Sequence, residues 1–448
     1  MVSGSRVRRN DNGHVALYIG SLQMGGAEHV MVNLAEALFA RGWRVTLVTT
    51  YLAVEEYPVP HGLWKTLPEE QARGSHILQV LTPDERRIPV ELEEWKETAG
   101  AEGNTRGNGI ARVFSGISSK EAGGRLSALR RRLVRLDQIW EDLQPDVILS
   151  FIGKNNLMAL LTAHRKRIPV IVSVRAVPGL EYPGRIQRLA ASVLFGRAAA
   201  VAVQTAASAA FFPASVRKKA VVMPNAVSRE FLSEEPVADR DRNEEETAAE
   251  RERTVVAVGR MDANKRFDLL LRAFARIIGR LPGTESIPEA DKYQLLLYGD
   301  GEDRPQLEEL AKALGIADHV RFMGRRSGIA GLIRRAGAYC LMSDTEGMPN
   351  TLIEAMCLGI PSVTTDCIPG GMGQLLTNGE DALVVPTGDE EALAAALRRI
   401  FTDRALADSL SVNARKMRSR YDPDRVTDSW EELLANHMKQ TRQRMGNG

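Results

Sequence analysis

Short apolar runs alternate with amphipathic stretches over most of this 448-residue chain. HVALYI at 14–19 and RVTLVT at 44–49 are continuously apolar or β-branched, the pattern of parallel strands covered on both faces. Between them lie a loop, GSLQMGG, and a segment from Ala27 to Arg41 whose Val30, Leu34 and Leu38 repeat at helical spacing until Gly42 stops it. That order predicts one βαβ unit of a doubly wound sheet. From 51 to about 124 the rhythm lapses: acidic residues gather between Glu91 and Glu97, and Gly, Asn and Ser follow as far as Gly124. Part of this segment reads as a flexible insertion. Order resumes with a helix carrying Leu126, Leu129, Leu133, Leu136, Trp140 and Leu143, then strands VILSF and VIVSV, a helix near Arg185 to Phe195, AVAVQ and AVVMP.

Residues 232–253 hold nine acidic and four basic side chains and few apolar ones, so they read as a linker or loop. Beyond them the rhythm repeats. Strands TVVAVG, QLLLYG, VRFMG, AYCLMS and PSVTT alternate with helices around 267–280, 303–314, 328–335, 350–358 and 389–402. The chain is therefore expected to be α/β: a flexible 1–13, a Rossmann-like domain over 14–230 with its insertion, a charged 231–253, a second Rossmann-like domain over 254–415, and a helix and tail over 416–448. Two such sheets in one chain predict a cleft.

Composition narrows the function. Cys340, Cys357 and Cys367 lack the spacing of a zinc site or a disulfide framework, which fits a reducing cytoplasm. No apolar stretch is long enough to span a bilayer and no signal core follows Arg6, Arg8 and Arg9, so a cytoplasmic location is expected. The net charge of +2 argues against a dedicated nucleic-acid binder. Its distribution is uneven: residues 1–230 carry 30 Lys and Arg against 21 Asp and Glu, and residues 112–230 carry 19 against 7. This positive half suggests an anionic partner, phosphate-bearing or a membrane surface, although a solvated basic face explains it equally well. Arg125, Arg130, Arg131, Arg132 and Arg135 crowd the faces beside the leucine stripe of 125–143, as in a helix lying on an anionic membrane; a helix that packs its leucines onto the sheet and leaves its arginines in solvent fits equally well.

The densest chemistry lies in SDTEGMPNTLIEAMCLGIPSVTT, residues 343–365. Glu346 precedes a turn, Pro349 and Asn350 open a helix that Asn can cap, and Gly359 closes it. Backbone N–H groups from Gly347 through Met348, Pro349, Asn350 and Thr351 to Leu352 should therefore face an anion; proline itself brings geometry rather than a donor. A pyrophosphate there leaves a sugar on one side and a ribose on the other, with Glu346 and Glu354 accepting hydroxyl hydrogen bonds. VGRMDANKRF at 258–267 supplies Arg260 and Lys265 after a strand, a fork and a point charge suited to a departing diphosphate without a metal. Gly25 and Gly26 open the first helix and let backbone approach a ligand. Neither they nor Gly299-Asp300-Gly301 complete a dinucleotide fingerprint, which disfavours hydride transfer.

VGRMDANKRFDLLLRAF, LLLYGDGEDRPQLEELAKALGIADHVRFMG and EGMPNTLIEAMCLGIPSVTTD, together with GGAE near the start, resemble glycosyltransferase family 4, over about 14–50 and 145–435. The resemblance implies the GT-B arrangement of two facing Rossmann-like domains, with a C-terminal helix returning to the N-terminal one. It implies a retaining, metal-independent transfer needing no cofactor. Arg260 and Lys265 would hold the donor diphosphate, Glu346 the transferred sugar and Glu354 the ribose, with amides from Met348 to Leu352; Gly25 and Gly26 would border the donor sugar. Uridine diphosphate is the preferred nucleotide.

VSVRAVPGLEYPGRIQRLAASVLFGRAAAVAVQT is similar to members that extend sugars on polyprenyl diphosphate carriers or build surface polysaccharide, which would set Arg175 on the acceptor side; simple pairing of Arg175 with a nearby carboxylate is the equal alternative. The acceptor would be a saccharide or lipid-linked saccharide. Three positions depart from the family: Met348 replaces a frequent aromatic residue, Gly373-Gln374 a frequent residue–Glu pair, and no histidine follows Phe151, so its role is either absent or filled by Asn155 or Asn156. An epimerase or glycogen-type synthase of the same fold, or a non-catalytic sugar-nucleotide binder, are the rival readings; the intact Arg260, Lys265, Glu346 and Glu354 weigh against the last.

Overall fold

The computed structural model describes residues 12–23, 25–50, 56, 64–65, 77–81, 87–91, 111–114, 125–233 and 253–446. They form two compact units, one of residues 1–204, 209–223 and 427–448, the other of 205–208 and 224–426. The expected flexible 1–13 falls almost wholly outside the described residues, as do most of 51–124 and of the charged 231–253.

The first unit is built on an eight-stranded sheet. Its strands are β1 (His14–Ile19), β2 (Arg44–Thr49), β3 (Trp64–Lys65), β6 (Ala111–Phe114), β7 (Val147–Phe151), β8 (Val170–Val174), β9 (Ala200–Val203) and β10 (Ala220–Val222). Their order is β10-β9-β8-β7-β1-β2-β6-β3, and every pairing is parallel. Two further strands, β4 (Ile77–Leu81) and β5 (Arg87–Glu91), pair antiparallel with each other. β1 lies centrally, Val15 opposite Val45 on one side and Val147 on the other, and it is buried along its whole length as the continuous apolar run predicts. The buried His14 accommodates this by bonding Thr46 Oγ1 at 2.8 Å, while burial and Arg44 push its pKa down to about 3 and keep it neutral.

The 51–124 segment is richer than an insertion. Ala111–Phe114 enters the sheet beside β2, and Arg112, 1% exposed, meets Glu56 through two hydrogen bonds of 2.6 and 2.8 Å. A central arginine in a four-residue run hides this strand from a hydropathy reading, because its burial depends on a carboxylate 56 positions earlier.

Helix Arg125–Leu143 lays Leu136, Ile139, Trp140 and Leu143 into the core, with Leu133 packed against it; Trp140 edges Tyr18 and donates to Thr162 Oγ1 at 2.8 Å. The leucine stripe is thus spent on protein from Leu133 onward, while Leu129 stays 45% exposed. The last helix, Pro423–Gly446, contributes Trp430 beside Phe151 and Glu431, which accepts from Arg41, Trp43 and Asn12. Among the described residues no helix is long and apolar enough to cross a membrane.

The second unit has a six-stranded parallel sheet: β11 (Thr254–Val258), β12 (Gln294–Tyr298), β13 (Val320–Gly324), β14 (Ala338–Leu341), β15 (Ser362–Thr365) and β16 (Leu383–Val385), ordered β13-β12-β11-β14-β15-β16. One face is covered by helices Phe267–Ile277 and Glu390–Thr402, the other by Asn350–Cys357, giving two apolar clusters. β11 and β14 are neighbours, so the loops leaving their carboxyl ends emerge side by side.

The loop leaving β12, the other neighbour of β11, meets the β11 loop at backbone distance. A Cβ on Gly299 would stand 1.8 Å from the Gly259 carbonyl oxygen, and one on Gly301 would stand 2.2 Å from that of Met261. Gly299 also sits at φ +123°, where side chains are strained. Gly299-Asp300-Gly301 therefore serves as a seat for the 259–261 loop. Gly299→Ala should lower stability by ~3 kcal/mol or more in chemical denaturation, while Gly373→Ala, whose added Cβ meets nothing within 4 Å, should stay within ~0.5 kcal/mol.

Candidate functional site

Leaving β11, the chain passes through Gly259 and Arg260 to a short turn in which Asp262 Oδ1 accepts from Lys265 N at 3.2 Å. Arg266 then takes a left-handed conformation, φ 48°, and starts the next helix. Four ties join this turn to the loop after β14. Asp344 N donates to Asn264 O at 2.9 Å and Asn264 Nδ2 to Thr345 O at 3.0 Å. Arg266 pairs with Asp344 at 3.2 Å, and Lys265 Nζ pairs with Glu346. Ser343 Oγ donates to the same Glu346 oxygen at 2.6 Å, and the Ser343 carbonyl takes a bond from Thr365 Oγ1.

Lys265 and Glu346, 81 residues apart, are thus brought together as the sequence suggested, with side chains only 23% and 14% exposed. Arg260 follows a different course. It is 74% exposed on its side chain and pairs with Asp262 at 2.7 Å rather than joining Lys265. Freely exposed guanidinium so close to the turn is able to swing toward an anion at small cost, since an exposed ion pair contributes little.

The helix Asn350–Cys357 begins where expected, but Asn350 does not cap it. Pro349 occupies the cap position, no side chain caps the first turn, and Asn350 Oδ1 instead accepts from Asn225 Nδ2 at 2.8 Å. A proline at the cap leaves the first-turn amides of Thr351 and Leu352 with no carbonyl one turn back. Gly359 at φ +79° ends the helix, its N–H bonding Met356 O. Met348 and Leu352 turn their side chains into the core, and Met348 Sδ receives the Asn225 N–H at 3.2 Å. Where family members often carry an aromatic residue, this chain thus has a core plug, and both positions offer a ligand their backbone alone.

Glu354 lies one turn into that helix. Loss of hydration is the main cause that pushes its carboxyl up to about 8, and the neighbouring Glu230 adds to it. Glu230 is itself raised by burial and held by the attraction of Arg334, which donates to the backbone carbonyls of Glu230 and Ser233. Two half-buried carboxyls at one spot are poised to accept from a vicinal diol. Sequence patterns offered no reason to single out Glu230, Asn225 or Asn264, because each acts on a partner at least 81 positions away; Ser343 reaches Glu346 only three positions on, through a turn whose shape hydropathy does not show.

Gly25, Gly26 and Arg175 belong to the first unit. Gly25 adopts an extended conformation at the start of helix Gly26–Ala40, and a Cβ there would stand 2.4 Å from Glu28 Oε2. Arg175 turns inward at the end of β8: Nε donates to Ser173 Oγ at 2.7 Å, Nη1 to Met223 O at 2.9 Å, and the guanidinium stacks on Phe151 and Trp430. Burial pulls its pKa below the guanidinium value, to about 9. Its neighbour Glu181 is fully engaged, accepting from the N–H groups of Gly153, Arg175 and Ala176. Asn156 is buried and donates to Ser173 O and Tyr182 Oη, a structural role; Asn155 is half-buried, with its amide on Phe151 O. Between them and β7 stands Ile152 at φ 70°, a strained conformation for a β-branched residue.

Two family models match in tandem. Residues 25–226 match the glycosyl transferase 4-like domain and residues 239–417 the group 1 glycosyl transferases. The chain belongs to glycosyltransferase family 4. It is 33% identical over 181 residues, 40% of its length, to the lipopolysaccharide core biosynthesis glycosyltransferase LpsD of Rhizobium meliloti, of which the match covers 48%. With a Campylobacter jejuni α-1,4-N-acetyl-D-galactosaminyltransferase, named for an undecaprenol-diphosphate-linked saccharide, it shares 24% over 305 residues, covering 68% of this chain and 79% of the relative. The chain spans about half or less of the length of several of the curated relatives it matches. Among solved structures, Anabaena Alr3699/HepE, crystallised with UDP and glucose, superposes with a TM-score of 0.68 at 16% identity, covering 95% of this chain and all of that one. The fold of this family 4 member is GT-B, as its motifs led one to expect.

Glu354 supplies a pH test of this geometry. Its folded pKa of about 8 exceeds its unfolded value of 4.5, so the folded state binds the extra proton between those two values. Stability of the ligand-free protein should fall as pH rises from about 5 to 8 and level off above; Glu354→Gln should flatten that part of the profile. Thermal melts of both proteins across pH 5 to 9 compare them, and parallel profiles would refute the assignment.

Proposed function

We propose that this chain is a retaining, metal-independent glycosyltransferase that moves a hexosyl or N-acetylhexosaminyl group from a nucleoside diphosphate sugar, UDP-sugar by preference, to a saccharide or polyprenyl-diphosphate-linked saccharide. The product would enter surface polysaccharide or glycoconjugate synthesis, at the inner face of an anionic membrane. One observation carries the reading: the Lys265–Glu346 pair stands at the carboxyl ends of neighbouring strands β11 and β14, four residues before the uncapped start of helix Asn350–Cys357. A diphosphate needs fixed positive charge and backbone donors at one place, and this arrangement offers both. UDP in the Anabaena complexes and the undecaprenol-linked saccharide in the name of the Campylobacter relative support the nucleotide and the acceptor class.

In this mechanism the anionic diphosphate takes Lys265 as counter-ion, and Glu346, released from that pairing, accepts hydrogen bonds from the sugar hydroxyls. Arg260 swings from Asp262 to the phosphates. The sugar C1–O bond breaks, the electron pair leaves with the diphosphate, and the acceptor hydroxyl attacks from the face just vacated. Its proton passes to a diphosphate oxygen. Lys265 and the helix start stabilise charge that grows during bond cleavage, so they lower the barrier rather than only tighten binding. Glu354 and Glu230 hold the ribose diol.

Three experiments test this. Lys265→Ala should lower turnover by ~10²-fold or more, the loss of one preorganised donor to the developing charge. Chelator should leave wild-type turnover unchanged, and restoration by magnesium or manganese after its loss would overturn the electrostatic mechanism. In calorimetry, Glu354→Ala should weaken the free nucleoside diphosphate and the nucleotide sugar alike, whereas Glu346→Ala should chiefly weaken the nucleotide sugar; equal losses for both ligands in both variants would reverse the assignments.

A further inference from the structure

Helix Arg185–Leu194 is inverted relative to an ordinary surface helix. It buries only Ala191, while Ile186, Leu189 and Val193 are 83%, 66% and 59% exposed. At i, i+3 and i+7 these three fall within about 60° of one face, opposite Ala191. Leu180, 67% exposed, lies just before the helix, and Phe211, 39% exposed, stands under the Arg188 guanidinium at 5.8 Å. A single exposed aliphatic residue needs no explanation, but a stripe with satellites does. The contrast with helix Arg125–Leu143 is direct: there the large apolar residues from Leu136 to Leu143 face the core.

The charge around the stripe is of one sign. From 176 to 219 the chain holds six Lys and Arg and a single acidic residue, Glu181, and that carboxylate is occupied by three backbone N–H groups. Arg185 and Arg188 are exposed at the start of the helix, and Arg197, Arg217 and Lys218 beyond its end; Lys219 donates to the carbonyls of Gly196 and Ala198 there. Ten residues make a helix about 15 Å long, too short to span a bilayer and suited to lying at its surface.

We propose that helix Arg185–Leu194 is the membrane-docking element of this protein, inserting Ile186, Leu189 and Val193 among the acyl chains of an anionic bilayer while the surrounding arginines and lysines bind the headgroups. The helix thereby replaces the arginine-rich 125–143 as the apolar contact. This rests on the reading of a membrane-borne acceptor and gives it a location.

The test uses the full-length protein with vesicles of phosphatidylglycerol and phosphatidylcholine, and of phosphatidylcholine alone. Wild type should sediment with the anionic vesicles, weakly with the zwitterionic ones, and less as salt rises. Ile186→Gln, Leu189→Gln and Val193→Gln combined should lower partitioning about tenfold or more, with UDP binding and thermal melting unchanged. Cys340, Cys357 and Cys367 are buried, so an environment-sensitive label on Leu189→Cys reports selectively, and its emission should shift to the blue on anionic vesicles. A label that stays in water, a triple variant that binds vesicles as wild type does, or a stripe whose loss only turns a dimer into a monomer would overturn the proposal. Loss of UDP binding by wild type would instead count against the donor reading and leave the vesicle result standing.

Discussion

Two backbone carbonyls, of Gly259 and Met261, occupy the space in which side chains at 299 and 301 would begin. This contact fixes the height and direction of the loop leaving β11. Lys265 follows within one turn, its stem lying over Gly259 at 3.7 Å from where a Cβ would be. Had either glycine a side chain, the loop would rise, and the four ties to the 343–346 loop would have to break or re-form. The ammonium–carboxylate pair at the centre of the candidate site is therefore held up by the absence of side chains two loops away.

Without a ligand, that pair is satisfied internally. Lys265 neutralises Glu346, Ser343 takes up a lone pair of the same oxygen, and Arg260 rests on Asp262. On the proposed reading, a diphosphate ester would bring both an anion for Lys265 and hydroxyl donors for Glu346, so its entry would exchange one satisfied arrangement for another instead of stranding a charge. Glu354 presents the opposite economy, a carboxyl that burial and Glu230 hold partly protonated. Its hydrogen-bonding capacity is available at little electrostatic expense.

The first unit spends its buried charge on rigidity. Arg112 with Glu56, and Arg175 against Phe151 and Trp430, each tie a strand end to a distant segment, β2 in one case and the last helix in the other. Buried pairing of this kind is sensitive to geometry, which favours one arrangement of the segments it joins. Glu181 adds a third tie, joining the turn after β7 to that after β8 through three backbone amides. Arg175 and Glu181 sit at the carboxyl ends of β7 and β8, where ligands bind in α/β sheets.

The sequence by itself determined the element order outside 51–124, the two parallel sheets and the candidate charged positions, because each is encoded locally: continuous apolar runs for doubly covered strands, a three-four repeat for helices, and proline and glycine at the ends of Asn350–Cys357. Lys265 and Glu346 were legible for the same reason, each being a charged residue just past an apolar strand. The tertiary structure alone decided that Arg260 turns to Asp262, that Asn350 serves Asn225 instead of capping its helix, and that Glu230 joins Glu354. It also made Arg112 a strand residue, and it decided between the surfaces open to two amphipathic helices, burying the apolar face of 125–143 from Leu133 onward and exposing that of 185–194. Periodicity shows that a helix has an apolar face, but which surface that face meets depends on what the rest of the chain brings to it.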